Sequence, residues 1–209
     1  MSSACAELAA DGARLAPMVE RMLRDVVATP LPMGGTLATV TRERRLVELG
    51  FTFPASTPDT ARLRDAVAAA GYATPRLAPG RLHGYLNGYV DLVFEHAGRY
   101  YVLDWKSNHL GNTAADYASA ALTRTMRDHG YHLQQLIYAV ALERYLRRRI
   151  PRYDHDTHFG GVLYLFVRGV RPDWRAAGGA QTGVYFDLPS AATLARIADA
   201  LRVPAVESA

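Results

Sequence analysis

The sequence predicts an α/β domain, and three observations carry that expectation. Apolar residues recur at helical spacing near the N-terminus, two β-rich runs flank a glycine turn near residue 97, and an unbroken apolar run near residue 164 has the character of a buried central strand.

Leu15, Met18, Val19, Met22, Leu23, Val26 and Val27 share one stripe, which predicts an amphipathic helix over 15–27. Pro30, Pro32, Gly34 and Gly35 break the chain before 46–53, where alternation and aromatic content suit a strand. Thr57 as N-cap, Pro58 at the first helical position and Asp59 near the positive end of the dipole predict a second helix, ending near Gly71. The segments 84–94 and 99–105 are aromatic and β-branched, and His96-Ala97-Gly98 between them predicts a hairpin. Two helices follow, over about 116–128 and 132–149, with Gly130 as the break and Pro151 as the stop. Residues 161–167 form the apolar strand, 171–183 a polar exposed loop and 184–188 another strand, and Ser190 caps a last helix ending near Leu201. The expected organisation is an N-terminal helical region, 1–80, leading into a core over 81–209 that ends in a strand and a helix.

The chain has 209 residues, enough for one domain with its own core, and its 49% hydrophobic and 21% charged residues exclude a disordered or fibrous protein. A single cysteine, Cys5, can close no bridge within the chain, so a reducing, cytoplasmic setting is expected. No apolar run is long enough to span a membrane, and no basic-then-apolar leader opens the chain. The net charge is +4, with arginines gathered at 42–45 and 144–149; such clusters track a phosphate backbone or simply solvate a helix face. No Gly-x-x-x-x-Gly-Lys-Ser/Thr loop is present, which excludes ATP-driven motion within this chain.

The chemistry is expected in Gly88-Tyr-Val-Asp91, followed after the turn by Asp104-Trp-Lys106. Asp104 and Lys106 are two apart on a strand, so their side chains leave the same face. Charges set among apolar residues cost free energy unless something compensates them, and two carboxylates brought together across a hairpin repel. A hard divalent cation relieves that repulsion, and a lysine beside it can hold a water or steady charge on a phosphate. Asp-x-Lys alone reads as readily as a plain ion pair; the two strands with their short hairpin are the rarer combination.

These residues resemble the second and third motifs of the RecB branch of the PD-(D/E)xK nuclease superfamily. Gln134 and Tyr138, four apart on an expected helix, are similar to its Gln-x-x-x-Tyr signature, and the likeness runs through Asn108-His-Leu-Gly111 and 158–169. The resemblance implies a restriction-endonuclease-like core with a central mixed sheet flanked by helices. It implies a magnesium-dependent DNA exonuclease, manganese substituting, that acts in double-strand break repair and recombination. Asp91, Asp104 and the carbonyl of Trp105 would bind the metal, Lys106 would serve the attacking water, and Gln134 and Tyr138 would contact phosphate or brace Lys106. A helicase region and RecC- and RecD-like subunits would be its partners, with no membrane. The alternatives are a catalytically weak DNA-binding or subunit-docking module that keeps the fold, and a restriction-like endonuclease acting alone.

One departure stands out. The family's metal site uses a histidine on a helix upstream of the acids, and the only histidine before Asp91 is His83. Either the chain starts after that helix or the protein lacks the residue; Glu48 is a candidate extra ligand, or a surface acid. His129, His132, His155 and His158 are expected at the surface or as caps. Tyr131 and Trp105 are expected as core or groove residues, with stacking on single-stranded DNA as the alternative.

Overall fold

In a computed structural model, residues 2–74, 76–78 and 80–201 are described. The N-terminal stripe lies on a longer helix than expected, α1 (Ser2–Ala28), and most of it faces solvent: Leu15 and Met18 are exposed, and only Val26 at its end is buried. A turn through Pro30 and Thr36 leads to β1 (Arg45–Asp59). The strand runs well past residue 53, and this overturns the expected cap at Thr57 and Pro58. Pairing with the next strand continues to Asp59↔Arg81, so Asp59 instead caps α2 (Thr60–Ala69), its carboxylate accepting from the Ala61 N–H at 2.9 Å.

β2 (Arg81–His96) and β3 (Arg99–Lys106) form the expected hairpin. Ala97 and Gly98 both have positive φ, 51° and 78°, the pairing that matches the twist of a two-residue turn. β2 also pairs along its other edge with β1, which comes from the stretch ahead of residue 80. After α3 (Ser119–Asp128) the chain turns at Gly130, φ 70°, into α4 (Tyr131–Arg147). A single turn, α5 (His155–His158), precedes β4 (Phe159–Phe166), which lies parallel to β3; α3 and α4 supply the crossover that parallel pairing needs. β5 (Val184–Asp187) closes the sheet antiparallel to β4, giving the order β1-β2-β3-β4-β5. Ser190 then caps α6 (Ala191–Ala200) through the Thr193 N–H.

Every residue of β4 is buried, because both faces of the sheet are covered. Val93, Val102, Val162, Tyr164 and Phe166 face the helices in the main core with Leu136, Leu142 and Ile197. Leu92, Phe94, Leu103 and Leu165 face the other way, against Val26, Leu31 and Leu37. The alternation on β3 therefore directs Asp104 and Lys106, which share parity with Val102, toward α4. Among the described residues no helix is long and apolar enough to cross a membrane.

Candidate functional site

β2 and β3 cease to pair at Leu92↔Leu103. One step further in the same register, Asp91 stands opposite Asp104, and Asp91 Oδ2 accepts a hydrogen bond from the Trp105 N–H at 2.9 Å. A side chain thus takes over where the backbone ladder ends. Asp91 is half-buried, whereas Asp104 is 3% exposed. Burial pushes the Asp104 carboxyl above its ordinary pKa and the neighbouring Asp91 charge adds to the rise, while Lys106 pulls the other way.

Lys106, also buried, brings Nζ to 2.5 Å from Asp104 Oδ2. At that distance the ammonium is both the counter-charge and the hydrogen-bond donor of the buried carboxylate, the contact that works against the rise in its pKa. On its other side Nζ donates to Gln134 Oε1 at 2.9 Å and lies 4.1 Å from the centre of the Tyr131 ring and 5.0 Å from that of Tyr164. Gln134 is held in turn: its Nε2 donates to the Tyr138 hydroxyl at 2.9 Å, and the Tyr164 hydroxyl donates to its Oε1 at 3.2 Å. Gln134 and Tyr138 do share one face of α4, and that face looks onto Lys106.

The glycine of the first motif has a steric reason. A Cβ at Gly88 would lie 2.4 Å from the ring of Phe51, its partner on β1, and that ring packs edge-on against Tyr138 at 5.8 Å. The glycine lets β1 close down on α4. A groove of about 280 Å³ opens there, lined by Phe51, Leu86, Gly88, Leu133, Gln134 and Tyr138, among others.

The donor set suits a hard divalent cation. It offers the carboxylates of Asp91 and Asp104, close enough to repel and matched by one ammonium, and magnesium takes one or two carboxylates and completes its shell with water and phosphate oxygens. Among the described residues no three His, Cys, Asp or Glu side chains gather as a ready-made metal cluster. His83 lies in β2, eight residues before Asp91 along the strand. Glu48 is better placed. The pairs Val47↔Leu92 and Leu49↔Val90 bring it opposite Asp91, and it is exposed with φ at 54°, a left-handed conformation uncommon outside glycine.

Two histidine expectations are corrected. His132 is buried between the rings of Tyr72 and Tyr185, because α4 turns that side toward α2 and β5; His155 is buried against Glu143 and the Pro189 carbonyl. His129 is exposed and ends α3, and His158 joins the Asp154 turn, as expected of surface and capping residues. The arginine clusters are partly engaged within the chain: Arg44 pairs with Glu95 at 3.1 Å, Arg147 with Glu143 at 2.7 Å, and Arg149 lies over Tyr145. The contacts of Tyr131 and Tyr164 with Lys106 were not foreseen. A signal for the site's needs was nevertheless there to read: Lys106 is the only lysine of the chain, and the remaining basic residues, 24 less one, are arginines.

Fold and site together define a metal-assisted phosphodiesterase architecture, and the chain belongs to the PD-(D/E)XK nuclease superfamily, whose family model matches residues 2–204. Nucleases of this family depend on a divalent metal. Among curated proteins the chain is similar to the RecBCD enzyme subunit RecB of Escherichia coli K12, 39% identical over 186 residues, covering 86% of this chain and 15% of that protein. The RecB subunit of Mycolicibacterium smegmatis is 40% identical over 190 residues, 79% of this chain and 17% of that protein; that of Haemophilus influenzae is 47% identical over 110 residues, 53% and 9% respectively. The chain spans about a sixth or less of the length of these relatives.

Proposed function

We propose that this chain is the hydrolytic unit of a magnesium-dependent DNA exonuclease that acts in double-strand break repair and recombination within a RecBCD-like helicase–nuclease. The observation that carries the reading is the meeting of Asp91, Asp104 and Lys106 where β2 and β3 part, two carboxylates against a single ammonium. The similarity to RecB subunits supports DNA as substrate and RecC- and RecD-like subunits as partners.

Asp91, Asp104 and the backbone carbonyl of Trp105 would hold the magnesium ion, with manganese a substitute. When bound, a divalent ion there polarises the scissile phosphate and lowers the pKa of a water. Lys106, fixed by Asp104 and Gln134, directs its ammonium at that water or at the charge gathering on the phosphate. Gln134 and Tyr138 brace the lysine by an unbroken line of hydrogen bonds.

The test is hydrolysis of end-labelled linear DNA with magnesium by the purified chain and its Asp104→Ala and Lys106→Ala variants. Each variant is expected to lose at least about a thousandfold in rate while far-ultraviolet dichroism stays unchanged; a folded variant that still cuts refutes the assignment. The second reading, a weak DNA-binding or docking module, is favoured by the absence of a histidine near Asp91 among the described residues, and it predicts DNA binding without metal-dependent cleavage in the unaltered chain.

A further inference from the structure

Lys106 is gripped from more sides than its partners in the Gln-x-x-x-Tyr pattern account for. Asp104 and Gln134 take two of its directions, at 2.5 and 2.9 Å. The Tyr131 ring takes another with its face, 4.1 Å from Nζ to the ring centre, and Tyr164 lies behind at 5.0 Å. The two rings stand 6.0 Å apart and tilted by 29°, and with Nζ 4.1 and 5.0 Å from their centres they flank the ammonium on adjacent sides, Tyr131 the nearer. Tyr131 is itself anchored on both sides. Its hydroxyl donates to Asn108 Oδ1 at 3.3 Å, in the loop that leaves β3, and the His129 ring stacks on it at 5.3 Å and 14°.

We infer that Tyr131 is a positioning residue that acts through Lys106: its ring face, with Tyr164 alongside, seats the ammonium against Asp104 in the place from which it serves the reaction. The inference rests on the catalytic reading of Lys106 given above. Tyr131 sits three residues before Gln134 on the same side of α4, so the helix presents three successive contacts to the lysine and its brace: a π face, an amide and, through the amide, a phenol. The cradle also bears on why the chain's only lysine stands here. An ammonium is a compact point charge that fits a corner made by two rings, a carboxylate oxygen and an amide oxygen, whereas the flat fork of a guanidinium needs acceptors in its own plane. In a chain whose other basic residues are all arginine, the position holds the one cation shaped for that space.

The test compares Tyr131→Phe, which keeps the ring, with Tyr131→Leu, which removes it. On linear DNA with magnesium, Tyr131→Leu is expected to lower kcat about ten- to thirtyfold with KM and thermal midpoint close to wild type, and Tyr131→Phe to restore kcat to within a few-fold. A Tyr131→Leu enzyme with wild-type kcat overturns the inference. So does Tyr131→Phe falling as far as Tyr131→Leu, which would assign the effect to the hydroxyl and Asn108. A second readout needs no catalysis. Uniform carbon-13 labelling of lysine marks Lys106 alone, and its ε-methylene protons should be displaced upfield by the rings in wild type and Tyr131→Phe and return toward an ordinary lysine position in Tyr131→Leu. A wild-type spectrum without that displacement also overturns the inference. If the unaltered chain fails to cut DNA but shows the displacement, the nuclease reading fails and the cradle stands.

Discussion

The two sides of α4 carry adjacent glutamines to different ends. Gln134 is half-buried and accepts from the Lys106 ammonium, which itself meets one of two neighbouring carboxylates, Asp104 beside Asp91. Gln135 is fully buried on the other side, where it and the Tyr72 hydroxyl both donate to the single carboxylate of Asp187, with His132 between Tyr72 and Tyr185. One cluster sets two carboxylates against one ammonium, an excess of like charge; the other holds one charge and meets it with neutral donors, although Gln135 Oε1 and His132 Nδ1 there find no partner. Buried polarity alone therefore does not mark a functional site. Converging charge that the protein itself does not neutralise does, because such charge is stable only when something from solution completes it.

The largest expected contrast comes from removing each glutamine in turn. Gln134→Leu takes away an acceptor from Lys106 and partners from Tyr138 and Tyr164, and steady-state hydrolysis should slow by about 10- to 100-fold, the usual cost of losing a group that orients an active residue. Gln135→Leu should leave the rate within a few-fold, yet cost about 1–3 kcal/mol in denaturant unfolding, because Asp187 loses a donor in a buried setting. A Gln135→Leu enzyme that is slow but stable would erase the contrast.

The smallest expected effect concerns pH. Burial holds His132 below the ordinary imidazole pKa, against the opposing influences of Asp187 and Gln135. The unfolded chain thus binds a proton that the folded chain resists, so stability is present above the unfolded pKa of about 6.5 and falls as pH drops through it. The thermal midpoint of the wild type should decline between about pH 7 and 5, and His132→Phe, which keeps a ring between Tyr72 and Tyr185, should show a shallower decline. Parallel curves would show that His132 contributes nothing to the acid limb.

The sequence was most legible where a local rule and the tertiary fold agree. The hairpin turn at Ala97-Gly98, the buried run in β4 and the Ser190 cap follow from short-range chemistry. Asp91, Asp104, Lys106, Gln134 and Tyr138 stand out through their resemblance to a family's motifs, and periodicity adds that Asp104 and Lys106 share one face of a strand and Gln134 and Tyr138 one face of a helix. Illegible features depend on remote partners. Thr57 and Pro58 carry a good helix-start pattern, but the pairs Ser56↔His83 and Asp59↔Arg81 on either side of them carry the strand past both. The apolar stripe of α1 reads as a buried face, yet periodicity says only that one side is apolar, not what meets it. Tyr131 shows its contact with Lys106 only once the β3–β4 crossover folds α4 over the sheet.

The central claim is that Asp91 and Asp104 share one divalent ion, and calorimetric titration of the metal-free chain with manganese tests it most directly. One site per chain is expected in the wild type, with binding lost in both Asp91→Asn and Asp104→Asn. Wild-type affinity in either variant, or no binding by the unaltered chain, would contradict the account.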